Sequence, residues 1–286
     1  MAEISEAGGS LQSTALNIKD DDCLTISSQR LEFIHFMQKL IAEFMGTYLM
    51  LFAGFAAGVV NRDKEDALTF PGVAILWGLD VMVMIYTVGH ISGAHFNPAV
   101  TIAFAACKRF AWKHVPAYIT VQLLASTLAS ATLVLIFDRE KGHVVGTFPI
   151  GSNKQSLEVE FIITFYLMFA VRGVATDDRA VISFTSAPFH YKGELAGLTL
   201  GATVTINTLF AGPISGASMN PARSLGPAMV FNQYKGIWIY IVGPITRAIA
   251  GAWFYDVIRL TDKPCHGIIR NKSFQGSSAN VTSSDQ

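Results

Sequence analysis

Two stretches decide the fold. Ile91-Ser92-Gly93-Ala94-His95-Phe96-Asn97-Pro98-Ala99 recurs as Ile214-Ser215-Gly216-Ala217-Ser218-Met219-Asn220-Pro221-Ala222, with seven of nine positions identical. Asn is a strong helix N-cap, and Pro at the first helical position is preorganised for the turn, so each Asn-Pro-Ala reads as cap, first residue and helix. The apolar pieces that follow, Asn97 to Cys107 and Asn220 to Phe231, are each about eleven residues long, close to half the hydrocarbon thickness of a bilayer at the helical rise. They are expected to be half-helices that dip to the midplane.

The rest of the chain supports a membrane setting. Of 286 residues 51% are hydrophobic and only 15% charged, against roughly 25% charged in soluble domains. The apolar residues come in blocks, which excludes a disordered chain, a disulfide-rich secreted domain and a nucleic-acid binder. Twenty-one basic and 21 acidic residues cancel, so no bulk field recruits a polyanion. Cys23, Cys107 and Cys265 are scattered without metal-ligand spacing and read as free thiols. No metal, cofactor or nucleophile–base set is expected, and hence no enzyme.

About twenty apolar residues cross a bilayer as a helix. Six blocks qualify: Phe36 to Val60, Phe70 to Gly89, Val115 to Phe137, Val159 to Ala175, Leu195 to Ala211 and Ile237 to Ile258. Three spans per half is an odd number, so the second half enters the membrane from the opposite side, an inverted repeat. The paired Glu43-Phe44-Met45-Gly46-Thr47 and Glu160-Phe161-Ile162-Ile163-Thr164 fit that repeat. The fold class is therefore an all-α membrane protein with six transmembrane helices and two re-entrant half-helices in a 3+3 inverted arrangement. Repeat one covers about 36–137 and repeat two about 159–260, flanked by tails 1–35 and 261–286. Basic residues assigned to the two sides divide thirteen to six in favour of the side holding both termini, which predicts cytoplasmic tails. Residues 1–30 are polar and lack an apolar core segment, so the first span is expected to act as its own insertion signal. Asn271 to Gln286 reads as solvated.

Two opposed half-helix N-termini place positive potential at the centre of the membrane. Irregular backbone survives at that depth only where it lines a polar cavity. The side chains of Asn97 and Asn220 can donate hydrogen bonds there, orienting a neutral polar molecule and repelling cations. Arg223, one turn into the second half-helix, is a membrane-embedded cation and a functional candidate on that ground.

With the two Asn-Pro-Ala boxes (Asn97, Pro98, Ala99 and Asn220, Pro221, Ala222), Arg223 and the Glu-Phe-x-x-Thr pair, the sequence resembles the aquaporin family. Within it, Gly89 to Thr101, Ala217 to Ala228 and Gly236-Ile237-Trp238-Ile239-Tyr240 resemble the plant nodulin-26-like intrinsic proteins. The resemblance spans about Gln38 to Pro264. It implies a passive channel for water and small uncharged solutes such as glycerol, and also for ammonia or undissociated acids such as boric and arsenous acid. It implies a homotetramer with one pore per subunit. The host would be the plasma membrane or, in a legume, the symbiosome membrane.

By the same resemblance, Trp77, Thr208, Ala217 and Arg223 form a selectivity filter, with the apolar face of Trp77 opposite the Arg donors. Strict water channels of the family carry Phe and His in place of Trp77 and Thr208, and the nodulin-like set carries an aliphatic residue at Thr208. A hydroxyl there predicts a wetter filter. Glu43 and Glu160 are expected to accept bonds from the re-entrant backbone, and His90 and His95 to bond the first loop, with pH sensing the alternative. Ser273, three residues after Arg270, resembles a basophilic kinase site, which would make a cytoplasmic kinase a partner of the tail.

Three features depart from the family pattern. Val181 to Lys192 reads as an insertion of roughly eleven residues in a surface loop, where added length costs little; it is either neutral or a gate. Asp80 and Arg247 fall mid-span where an aliphatic and a small residue are usual, and they are expected to pair with each other. Asp80 also keeps an ion-coupled transporter open as a second function, and Arg247 or the insertion a non-conducting relative as a third.

Overall fold

Each Asn-Pro-Ala box starts a short helix. The computed structural model describes residues 3–137, 146–176 and 195–259. Within them lie eight α-helices: α1 Glu3–Asp63, α2 Thr69–Ser92, α3 Pro98–Ala106, α4 Val115–Ile136, α5 Asn153–Thr176, α6 Ala196–Ser215, α7 Pro221–Phe231 and α8 Ile239–Ile258. A single turn, Trp112–His114, leads into α4. No strand occurs among the described residues.

Four helices are long and apolar enough to cross a membrane on length and composition alone, namely α2, α6, the Gln29–Asp63 part of α1, and α4 with its leading turn. The fourth and sixth expected spans, α5 and α8, are of spanning length but carry Glu160 and Arg172, and Arg247 and Asp256, within them. The half-helices α3 and α7 are nine and eleven residues long, about 14 and 16 Å at the helical rise. Together they cross one hydrocarbon thickness, and they meet end to end.

The packing order around the bundle is α4, α1, α2, α6, α5, α8, with α3 and α7 wedged between α4 and α8. That order reads the same in both directions from the α2–α6 contact, as an inverted repeat requires. Gly78 and Gly201 stand at the same interval before Asn97 and Asn220, and they touch each other across α2 and α6. They mark the local axis in the membrane plane. Between helices the core is filled by small residues, with Ala103, Ala125, Ala129, Ala248 and Ala252 inaccessible. Close backbone approach through small residues is how helices associate where lipid supplies no hydrophobic drive.

α2 and α6 run three and four residues past the predicted span ends, Pro213 being tolerated inside α6. Both stop at a left-handed glycine, Gly93 (φ 91°) and Gly216 (φ 80°), whose N–H bonds back to Gly89 and Gly212. Only Gly takes that conformation without steric cost.

The expected pairing of Asp80 with Arg247 is not made. Asp80 lies on α2 against α1, in a groove lined by Ala53, Ile75, Leu76, Leu79 and Val83. Arg247 lies on α8 with its guanidinium carbon 4.6 Å above the Phe161 ring of α5. The two helices belong to different flanks of the bundle, separated by α6 and α5, which sequence position alone did not reveal. The insertion Val181 to Lys192, Ser273 and Cys265 lie outside the described residues.

A methyl group added at Gly201 would sit 2.6 Å from the Gly78 carbonyl oxygen and 2.9 Å from Met82 Cβ. Backbone cannot yield there without moving a helix, and overpacking costs about 1–3 kcal/mol. Gly201→Val is expected to reduce the folded, monodisperse fraction in detergent size-exclusion chromatography, whereas Gly58→Ala, where a methyl meets nothing within 4 Å, leaves it unchanged.

Candidate permeation site

Between each long helix and its half-helix the backbone is forced out of ordinary conformations. Ala94 and Phe96 take φ 48° and 49°, and their counterparts Ala217 and Met219 take φ 47° and 55°. Positive φ is strained for non-glycine residues, which keep it only where surroundings dictate it. Here the dictating groups are two buried carboxylates. Glu43 accepts the N–H of His95 at 2.9 Å and of Phe96 at 2.8 Å. Glu160 accepts the N–H of Ser218 at 2.7 Å and of Met219 at 2.9 Å. The Ser92 and Ser215 hydroxyls accept from Ala94 and Ala217, and the Tyr118 and Tyr240 hydroxyls donate to the Ser92 and Ser215 carbonyls. These serines and tyrosines were missed in the sequence, although both serines lie inside the repeated nonapeptide. Gln122, which donates to Glu43 and Thr101, had no such signal.

Asn97 and Asn220 do two jobs each. Each side-chain oxygen caps its helix, accepting from Ala99 and Ala222 at 2.9 Å. Each side-chain nitrogen donates to the carbonyl of the opposite loop: Asn97 to Met219 at 2.8 Å, and Asn220 to Phe96 at 2.9 Å. The two half-helices are thus cross-locked at their tips. An amide nitrogen has two hydrogens, so one on each Asn remains beyond the lock. Both Asn line a cavity of about 480 Å³.

That cavity has one apolar wall, from Val81, Ile85, Val100, Phe104, Leu200 and Val204, and one wall of re-entrant backbone from Gly93 to Asn97. It opens among Tyr86, His90, Ala175 and Ala196, at the ends of α2 and α5 and the start of α6. At its other extreme it reaches Trp77 and Arg223. The Arg223 guanidinium donates to the Ala217 carbonyl at 2.7 Å and the Gly216 carbonyl at 3.2 Å. Its carbon lies 3.7 Å from the centre of the Trp77 ring.

This differs from the expected slot with Trp77 facing Arg223 across a gap. The cation is stacked on the indole, an attraction rooted in the ring's quadrupole. Trp77, Thr208, Ala217 and Arg223 are 5%, 3%, 0% and 7% exposed, so all four are buried. Trp77, Arg223 and Ala217 are brought together. Thr208 and Ala217 do not line the cavity, and the Thr208 hydroxyl and the Arg223 Nε are buried without hydrogen-bond partners.

The two histidines have different fates. His95 is buried among Phe104, Phe110 and Tyr118, with Nδ1 3.1 Å from the Thr101 hydroxyl. His90 was expected to bond the loop; it is exposed at the cavity mouth and makes no hydrogen bond among the described residues. It stands in the last turn of α2, before the left-handed Gly93. Among the described residues no cluster of His, Cys, Asp or Glu could hold a metal ion.

Comparison with known proteins agrees with this geometry. The sequence profile of the family described as Major intrinsic protein matches residues 30–255. Aquaporin NIP1-1 of Oryza sativa subsp. japonica is 58% identical over 251 residues, covering 88% of this chain and 84% of the relative. Nodulin-26 of Glycine max is 50% identical over 275 residues, covering 96% and 97%. In fold, the X-ray structure of the aquaglyceroporin from Plasmodium falciparum superposes with a TM-score of 0.68 at 22% identity, over 78% of this chain and 96% of that one. A pore built from two opposed half-helices defines a membrane channel and not an enzyme. The chain belongs to the major intrinsic protein family, with the nodulin-26-like aquaporins among its relatives. It is a passive channel for water and small uncharged solutes.

Replacing Glu160 by Gln puts an amide donor against the N–H groups of Ser218 and Met219. Each orphaned buried donor costs about 1–3 kcal/mol. Glu160→Gln and Glu43→Gln are each expected to lower the apparent Tm in detergent by several degrees, measured by intrinsic fluorescence, and Glu160→Asp by less.

Proposed function

We propose that this channel passes glycerol-sized hydroxylated solutes together with water, through a filter made of Trp77, Thr208, Ala217 and Arg223, while excluding protons and ions. The observation that supports it is the Arg223 guanidinium, held by the Gly216 and Ala217 carbonyls over the Trp77 face at the end of the cavity. A molecule with a CH edge and an OH edge can slide between them, laying carbon on the indole and oxygen on the guanidinium. The Arg223 guanidinium is the polar group such a solute would meet at the end of the cavity, whereas the unpartnered Thr208 hydroxyl is buried outside the cavity wall. Ammonia and undissociated boric or arsenous acid satisfy the same requirement of small size, neutrality and hydrogen-bonding edges.

Proton and cation exclusion follows from the half-helix tips, each carrying roughly half a positive charge at its N-terminus, and from Arg223. The Asn97 and Asn220 amides add donors there. A passing molecule accepts from them and cannot relay a proton through a site that offers only donors. The assembly is a homotetramer with a pore in each subunit, in the plasma membrane or a symbiosome membrane, with both tails cytoplasmic and Ser273 open to a kinase. Carboxylates Glu43 and Glu160 are occupied by loop N–H groups, which argues against a coupling-ion site there.

Proteoliposomes carrying the protein, with no ion gradient, should swell in an osmotic gradient of glycerol, and boric acid uptake should rise in parallel. Absence of swelling for every solute would identify a non-conducting relative. Trp77→Ala is expected to raise glycerol conductance by removing the stack. Thr208→Val is expected to lower water conductance relative to glycerol a few-fold, the scale of one hydrogen bond of about 0.5–1.5 kcal/mol. Stopped-flow light scattering reads both, and an unchanged ratio in Thr208→Val would sink the wetter filter.

A further inference from the structure

Two charges inside the spans are left over by everything above. Asp80 sits midway along α2. Its Oδ2 is buried by the groove walls and has no hydrogen-bond partner. Arg247 sits midway along α8 and makes no hydrogen bond or ion pair among the described residues, only the contact with the Phe161 ring. An uncompensated charge at mid-depth is expensive, and such residues pair or face an interior. Neither of these faces the pore, since the cavity walls include neither residue. Both lie toward the outer surface of the bundle. The groove beside Asp80, about 390 Å³, is rimmed by the exposed Ile75, Leu79 and Val83. Arg247 is flanked by the exposed Val242 and Phe161.

The packing order supplies the partner. Asp80 opens from the α1–α2 flank and Arg247 from the α5–α8 flank, on opposite sides of the α2–α6 contact. A second copy turned about an axis along the membrane normal can set its α5–α8 flank against the α1–α2 flank of the first. Each copy then offers one acid to one neighbour and one base to the other. Such a head-to-tail contact closes into a ring. We infer that Asp80 of one copy pairs with Arg247 of the adjacent copy, so that the groove beside Asp80 receives the neighbour's guanidinium and the assembly is keyed by an ion pair within the membrane. This rests on the assembly of copies given under Proposed function. A long, planar, permanently charged side chain suits such a contact, because it carries several donors and its stem can lie along apolar surface until the carboxylate is met.

The test uses the full chain in detergent and in vesicles. In a background with Cys23, Cys107 and Cys265 replaced by Ser, one tagged copy carries Asp80→Cys and a differently tagged copy carries Arg247→Cys. After co-expression, a short bifunctional thiol reagent should yield a dimer bearing both tags, and either variant expressed alone should yield none. In native mass spectra, Asp80→Asn and Arg247→Gln should each lose oligomer, and the exchange Asp80→Arg with Arg247→Asp should restore it. An oligomeric wild type with no mixed cross-link and intact single variants overturns the pairing. So do single-variant losses that the exchange fails to restore, which would give each side chain a purely local role. A monomeric wild type overturns the assembly itself. Glycerol swelling of the same vesicles reports the channel separately from all of these.

Discussion

The structure depends on satisfying non-helical backbone in the middle of a membrane. Lipid offers no hydrogen bonds, so each unsatisfied N–H there costs several kcal/mol. The chain meets this constraint with a carboxylate on each side of the pore. Glu43 and Glu160 each take two consecutive N–H groups from residues bent around a left-handed turn. The turns then reverse the chain, present Asn97 and Asn220 to one another, and fix the half-helices whose tips define the pore. A charged group normally excluded from lipid is here the anchor of the least regular backbone in the molecule.

The two halves reach the same backbone with different supporting chemistry. In the first, His95 is held by Thr101 and three aromatic rings, and Gln122 reaches Glu43. In the second, the small Ser218 stands where His95 does. Its hydroxyl meets Ser224 at 2.6 Å, which meets Thr147 at 2.5 Å. The space vacated by an imidazole is taken up by a chain of hydroxyls that ties the second loop to the segment before α5. In the same half the Arg223 guanidinium grips the Gly216 and Ala217 carbonyls. The first half-helix has Val100 at the corresponding position, buried in the cavity wall. The stack of Arg223 on Trp77 thus has no counterpart in the first half.

Most of the fold was legible because membrane physics leaves few options. Apolar blocks of about twenty residues must be spanning helices, and Asn-Pro-Ala states a helix start in its own chemistry. The half-helices and the inversion follow from those facts, and the bonds made by the two glutamates from the family resemblance and their symmetric recurrence. What was not legible depended on which helices become neighbours. Asp80 and Arg247 look like partners along the sequence because their depths match, yet depth says nothing of position around the bundle. The stacking of Arg223 on Trp77 was hidden for a related reason: residue types and spacing name the members of a site, whereas rotamers decide whether they touch. His90 was misplaced because sequence position beside the loop does not say whether a side chain is buried against it or exposed. Tyr118 and Tyr240 escaped notice because each lies far in sequence from the loop it holds.

The Arg223–Trp77 stack has a consequence for how fast anything can move. A cation over an indole is worth about 0.5 kcal/mol when exposed and about 2 when desolvated. At roughly 1.4 kcal/mol per decade, about 2 kcal/mol for parting the pair corresponds to some thirty-fold in rate, and a solute that replaces one face of the contact recovers part of that. A barrier of that size would act as a throttle and not a seal. Flux should climb more steeply with warming than free diffusion does, and the steepness should shrink for cargo whose carbon edge can stand in for the guanidinium.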